Sequence, residues 1–215
     1  MKAVIFGIDL SGPGNTKESA LVSFEIRKNS LQMITALEGV TDQTIHDAVV
    51  GRSANADVIV GIDAPLSYNP GGGDRESDRE LRKQIMAKGM PPGSVMPPTL
   101  TRMAYLTLRG MAVCRFLESQ PDKIGIVEVH PAGSMALRGA PVGSIKEMKR
   151  STRAKHTLLE WLEKQGLNGI DLSGYMSDHY IAACAAALAA WKWHLGKSVW
   201  IFKAEMPFHP YDFAC

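Results

Sequence analysis

Three apolar runs in this chain meet an acidic residue where they end: Gly7-Ile8-Asp9, Gly61-Ile62-Asp63, and Glu128 within Val127-Glu128-Val129-His130-Pro131. Short β-branched runs stopped by turn formers read as buried strands. A carboxylate embedded among Ile and Val costs several kcal/mol unless its charge is compensated, so something must sit opposite each acid. If the strands are neighbours, their ends bring the acids together, and like charges packed that closely stay ionised only beside a cation. An all-oxygen site of this kind selects Mg2+ or Mn2+ over zinc. A strand-to-turn Asp can also be an Asx-turn, but two from near-identical Gly-Ile-Asp strings favour a shared site. Glu128 leaves both faces open, since the flanking Val129 and His130 allow either to point inward.

The remaining pattern frames these strands. Residues 20–27 and 31–38 are further strand candidates, giving a three-stranded meander with residues 3–8, and Thr41-Asp42 caps a helix up to about Gly51. From 64 to 122 prolines and glycines interrupt helical stretches at Asp74 to Lys88 and Thr101 to Glu118, which reads as a helical and loop insertion. Strand 123–129, helix Ser151 to Gln165 with Leu158, Leu159, Trp161 and Leu162 inward, an Ala-rich helix Ser177 to Leu195 and strand 199–202 complete the order. That order predicts the α/β class, a mixed sheet covered by helices, as one domain over residues 1–215. At 215 residues the chain can bury about 70% of its unfolded surface, so it needs no disulfide or structural metal.

Composition excludes several classes. The longest uncharged apolar run, Tyr180 to Trp191, is shorter than the about 20 residues a membrane-spanning helix needs, so no membrane partner is expected. Met1 to Phe6 lacks the long apolar core and cleavage site of a secretory signal, and Cys114, Cys184 and Cys215 have no C-x-x-C spacing. Both point to the cytoplasm and a reducing compartment. A net charge of +2 does not announce nucleic-acid binding. The case for it is local: Lys146, Lys149, Arg150, Arg153 and Lys155 face only Glu147, which suits a phosphate backbone or, equally, a solvated helix face. Arg75, Arg79, Arg82 and Lys83 interleave with Asp74, Glu76, Asp78 and Glu80 and read as a solvated face. Aromatics near these clusters are sparse, which argues against a single-strand stacking platform.

Asp178 opens the Ala-rich helix, whose small residues allow close packing on a sheet and so bring it near the strand ends; macrodipole and capping preferences also explain an Asp there. His130 is a general base or a capped polar group, and His179 could shuttle a proton or orient a ligand. Trp161, Trp191, Trp193 and Trp200 are core candidates. Met86, Met90, Met96, Met103 and Met111 suggest core filling or an adaptable apolar surface, a dimer contact or a lid.

Gly7-Ile8-Asp9-Leu10-Ser11-Gly12, Gly61-Ile62-Asp63-Ala64-Pro65-Leu66, Glu128-Val129-His130-Pro131-Ala132, Lys155-His156 and Ser177-Asp178-His179-Tyr180-Ile181-Ala182-Ala183 resemble the successive blocks of domain-of-unknown-function family 429, described as predicted nucleases with a ribonuclease H-like fold. His179-Tyr180 stands where that family's last block commonly resembles Ala-Leu. The resemblance implies a five-stranded mixed sheet, its first three strands antiparallel, with acids at its centre. It further implies two metal ions that activate a water and stabilise a leaving oxygen. Asp9 would bridge them, Asp63 or Glu128 would hold one and Asp178 the other, with Asp63 ranked above Glu128. The expected function is a metal-dependent nuclease. The alternatives are an actin-like ATPase or phosphotransferase, since the turn from Asp9 to Lys17 is similar to such a phosphate loop, and a non-catalytic metal-binding scaffold. No G-x-x-x-x-G-K-[ST], G-x-S-x-G or H-E-x-x-H string is present.

Overall fold

The two Gly-Ile-Asp strings lie side by side. In the computed structural model, which describes residues 3–120 and 124–215, β1 (Ala3–Asp9) and β4 (Asp57–Asp63) are parallel neighbours pairing Gly7 with Gly61, Ile8 with Ile62 and Asp9 with Asp63. β2 (Ala20–Arg27) and β3 (Ser30–Glu38) form the expected meander with β1, both pairings antiparallel. β5 (Ile124–Val129) runs parallel to β4 on its other side. The sheet is larger than the five strands expected. Two-residue strands β6 (Leu167–Asn168), β7 (Ile201–Phe202) and β8 (Phe213–Ala214) extend it to eight, in the order β6-β3-β2-β1-β4-β5-β8-β7. Strands this short carry no readable alternation, and the expected strand 199–202 contracts to β7, with Val199 N–H and the Trp200 carbonyl still bonded to Cys215 at 2.9 Å each just ahead of it.

Helices cover both faces. α1 (Asp42–Ser53) begins at Thr41, whose hydroxyl accepts from Thr44 N–H at 3.2 Å, and packs with α3 (Arg102–Glu118) over one face. The other face carries α7 (Asp178–His194), flanked by α4 (Pro131–Leu137) and α6 (Thr152–Lys164), with α5 (Val142–Glu147) beside α6. α4 and α5 have no counterpart in the sequence reading. α2 (Glu76–Met86) and α3 occupy the stretch read as an insertion; residues 121–123, which include the expected end of that insertion and Lys123 of the expected strand, lie outside the described residues. Leu158, Leu159 and Leu162 are buried as the helical spacing requires, and Trp191 is buried while Trp161, Trp193 and Trp200 are partly so.

α7 owes its position to its composition. Every residue from Tyr180 to Trp191 is buried, and the helix crosses β1 and β4 where Gly7 and Gly61 leave room for its backbone. The expected close approach of a small-residue helix is therefore observed, and it carries the first turn of α7 to the ends of β1 and β4.

Candidate active site

Asp9 and Asp63 end adjacent strands and leave the sheet on the α7 side, as do Gly7 and Gly61 two residues earlier. Asp9 is 7% exposed, and the two carboxyl groups hydrogen-bond to each other. Burial and the charge of Asp9 hold Asp63 protonated well above the ordinary carboxylate range, with Lys149 opposing them. Burial also raises Asp9, against the hydrogen bonds it receives from His179 and Asp63. The pair thus shares one proton where two charges would otherwise face each other. His179 Nδ1 lies 2.6 Å from Asp9 Oδ2, and this bond raises the imidazole's affinity for its own proton.

The start of α7 is pinned from two sides. Ser177 caps it, accepting from Tyr180 N–H at 3.1 Å, and its hydroxyl bonds the Glu38 carboxylate on β3. That sets Asp178 and His179 at the rim of a cleft of about 670 Å3 whose lining also includes Asp9 and Asp63. Three of the four acids singled out in the sequence therefore converge.

Glu128 lines the same cleft and its charge adds to the rise of Asp63, but its carboxylate is bonded elsewhere. It alternates with Val127 and Val129, which pack on the α7 side, and pairs across β4 with Ile62, which packs on the other. Both of its oxygens are taken: Arg75 donates to Oε1 at 2.5 Å and Oε2 at 2.8 Å, and Leu66 N–H to Oε2 at 2.9 Å. Arg75 also grips Asp78 at 2.7 and 3.0 Å and is 4% exposed. Burial works against its charge, but Glu128 and Asp78 more than offset that and raise its pKa. Reading residue 75 as part of a solvated face is thus corrected: an Arg interleaved with acids looks like a surface salt-bridge pattern when its distant partner, Glu128, is not in view. Arg82 likewise binds Asp74 at 2.6 Å and the Val95 carbonyl at 2.8 Å.

Of the five cations in the 146–155 run, Lys146 and Lys149 line the cleft. Arg150 and Arg153 are exposed outside its lining, and Lys155 donates to the Met176 carbonyl at 2.9 Å, holding the loop that precedes α7. His130 is a capped polar group: Nε2 donates to the Ser94 carbonyl at 2.7 Å while Nδ1 accepts from Gly133 N–H at 2.9 Å, and burial lowers its pKa. With both nitrogens committed it has none left to act as a base. His179, which the sequence offered only by adjacency to Asp178, is the histidine in contact with the acid pair.

Among the described residues no three His, Cys, Asp or Glu side chains are already grouped as a ligand set. Asp9 and Asp63 nevertheless suit a divalent ion in donor type and in charge, because the charge of Asp9 raises the proton affinity of Asp63, to which it is bonded, a repulsion that a cation would relieve. Asp178 lines the same cleft and raises Asp9 through its charge.

The shared proton makes stability depend on pH. Above the ordinary value of 3.8 the unfolded chain has released a proton that the folded pair still holds. Stability therefore falls as pH rises from there to the pair's raised folded pKa, by about 1.4 kcal/mol per pH unit for one proton. Asp63→Asn is expected to flatten this slope in urea unfolding at pH values above the ordinary carboxylate range and to be the more stable protein at the upper end of the falling limb. Parallel curves for the two proteins would contradict a shared proton.

Residues 7–206 match the model of a family described as a protein of unknown function (DUF429). No curated protein and no solved structure matches the chain.

Proposed function

The chain belongs to the DUF429 family, and we propose that it is a metal-dependent nuclease that hydrolyses phosphodiester bonds of nucleic acid in the cleft floored by Asp9 and Asp63. The observation that carries this reading is the in-register carboxyl pair, Asp9 buried and Asp63 half-buried, hydrogen-bonded to each other and open to a cleft with two lysines in its lining. The central strand order β3-β2-β1-β4-β5, antiparallel through β1 and parallel beyond it, supports a ribonuclease H-like core with β6, β7 and β8 as short additions.

Asp9 and Asp63 would hold Mg2+ or Mn2+, with Asp178 beside them. Such an ion supplies charge for the phosphate and a more acidic bound water. Asp9 presents its carboxylate in a fixed orientation because His179 holds Oδ2. Lys149, whose field already reaches Asp63, and Lys146 are placed to accept a phosphate at the cleft. Glu128 is left out of the reacting set, its oxygens being committed to Arg75 and Leu66.

An ATPase-type phosphate loop at residues 9–17 has less support, because the polar groups of Ser11 in that turn are already bonded within the protein. Ser11 N–H donates to Ser19 Oγ at 3.1 Å, the Ser11 hydroxyl donates to the Asn15 carbonyl at 2.5 Å, and Arg109 donates to the Ser11 carbonyl at 2.8 Å.

A cleavage panel of single-stranded, duplex, hybrid and branched substrates with Mn2+ or Mg2+ tests the reading. Wild-type protein should cleave at least one of them only when metal is present. Asp9→Asn should lose that activity by at least about a thousandfold while melting at the same or a higher temperature. An Asp9→Asn protein that melts much earlier, with no metal-dependent activity in the wild type, would make the pair structural.

A further inference from the structure

The methionines of the stretch between β4 and β5 divide into two groups. Met86 and Met111 are exposed on helices, whereas Met90, Met96 and Met103 line the cleft together with Val95, Leu106 and Met148. We propose that these six residues form a subsite for one unpaired nucleobase beside the phosphate position at Lys146, Lys149 and the proposed metal site of Asp9 and Asp63, so that the substrate presents a single-stranded nucleotide to that site. The inference rests on the nuclease reading and names its substrate class.

The wall is built in advance. Arg82 donates to the Val95 carbonyl at 2.8 Å, His130 to the Ser94 carbonyl at 2.7 Å and Thr107 to the Pro98 carbonyl at 2.9 Å, tying the 94–98 loop to α2, the junction of β5 with α4, and α3. Met90 and Val95 are 6% and 4% exposed, while Met96 at 41% projects further into solvent. Thioether side chains on a fixed backbone offer a polarizable surface that adapts to any flat apolar ring. None of the six side chains offers a strong hydrogen-bonding group, so the wall would grip a base without reading its identity.

Size and charge select the occupant. A cleft of about 670 Å3 falls in the range of about 300–1,000 Å3 typical for small ligands, room for one nucleotide beside the acids. A base held in a stack cannot reach such a wall without being extruded. Lys146 and Lys149 line the cleft on a phosphate's behalf, and exposed Arg150 and Arg153 follow directly in sequence, a path for the rest of a polyanionic strand.

The test uses Asp9→Asn protein without added metal, titrated with a single-stranded oligonucleotide carrying 2-aminopurine, with the same strand carrying one abasic unit in its place, and with the fully paired duplex. The base-bearing strand should bind with a fluorescence change and at least about tenfold more tightly than the abasic strand or the duplex. Adding Met96→Glu should remove that preference without changing the melting temperature, and Met103→Ala provides a milder second variant. Equal affinity for all three ligands, alongside metal-dependent cleavage by wild-type protein, overturns the base subsite alone. No binding of any strand and no cleavage overturns the nuclease reading with it.

Discussion

Arg75→Ala is expected to cost about 3–5 kcal/mol of folding stability, measured by chemical denaturation. The side chain is nearly inaccessible, bridges Glu128 and Asp78 through charge-assisted bonds, donates to Ser67 Oγ at 3.0 Å and lies 5.4 Å from the centre of the Phe213 ring. Truncation leaves two buried carboxylates with no cation, which costs far more than the loss of an exposed pair. Arg75→Lys should recover little, because a point-like ammonium cannot span two carboxylates as a planar guanidinium does. The bridge also joins the start of α2 to β5, so Arg75→Ala should expose the 64–98 stretch to proteolysis earlier than the sheet. A loss below about 1 kcal/mol would mean that the site is wet enough to behave as a surface pair.

Gly7→Ala comes next in size. A Cβ at position 7 would lie 2.0 Å from the Ala183 carbonyl oxygen, 2.5 Å from Ala187 N and 2.8 Å from Ala187 Cβ. Two of these neighbours are helix backbone, so no rotamer change relieves the overlap and α7 itself must move. The expected loss is about 3 kcal/mol or more. Gly61→Ala meets the Ala186 carbonyl oxygen at 2.7 Å and should cost less. Because α7 also carries Asp178 and His179 to the acid pair, Gly7→Ala should lower activity even where the protein still folds. A Gly7→Ala protein as stable as wild type would contradict the observed helix-to-sheet distance.

What was legible followed from local rules. The strings ending at Asp9 and Asp63 announced themselves because a buried strand ending on a carboxylate is costly, and their likeness matched a parallel pairing in register. The small residues of α7 signalled its close approach to the sheet, and Thr41, Ser151 and Ser177 each cap the helix they precede. What stayed hidden depended on partners distant in the chain. The face of Glu128 follows from its neighbour on β4, and its neutralisation comes from Arg75, 53 positions away. A short-range pattern of alternating charge gave no sign that one member turns inward. β6 and β8 are too short for a period and exist only because β3 and β5 offer free edges.

The central claim is that Asp9 and Asp63 form a place for a divalent cation, kept by a proton until the ion arrives. Titration calorimetry of Mn2+ into the wild-type protein near neutral pH, repeated in two buffers of different ionisation enthalpy, measures this directly. The account predicts saturable binding that releases a proton and that disappears in both Asp9→Asn and Asp63→Asn. Absence of saturable binding at millimolar Mn2+, or equal heats from wild type and both variants, would contradict it.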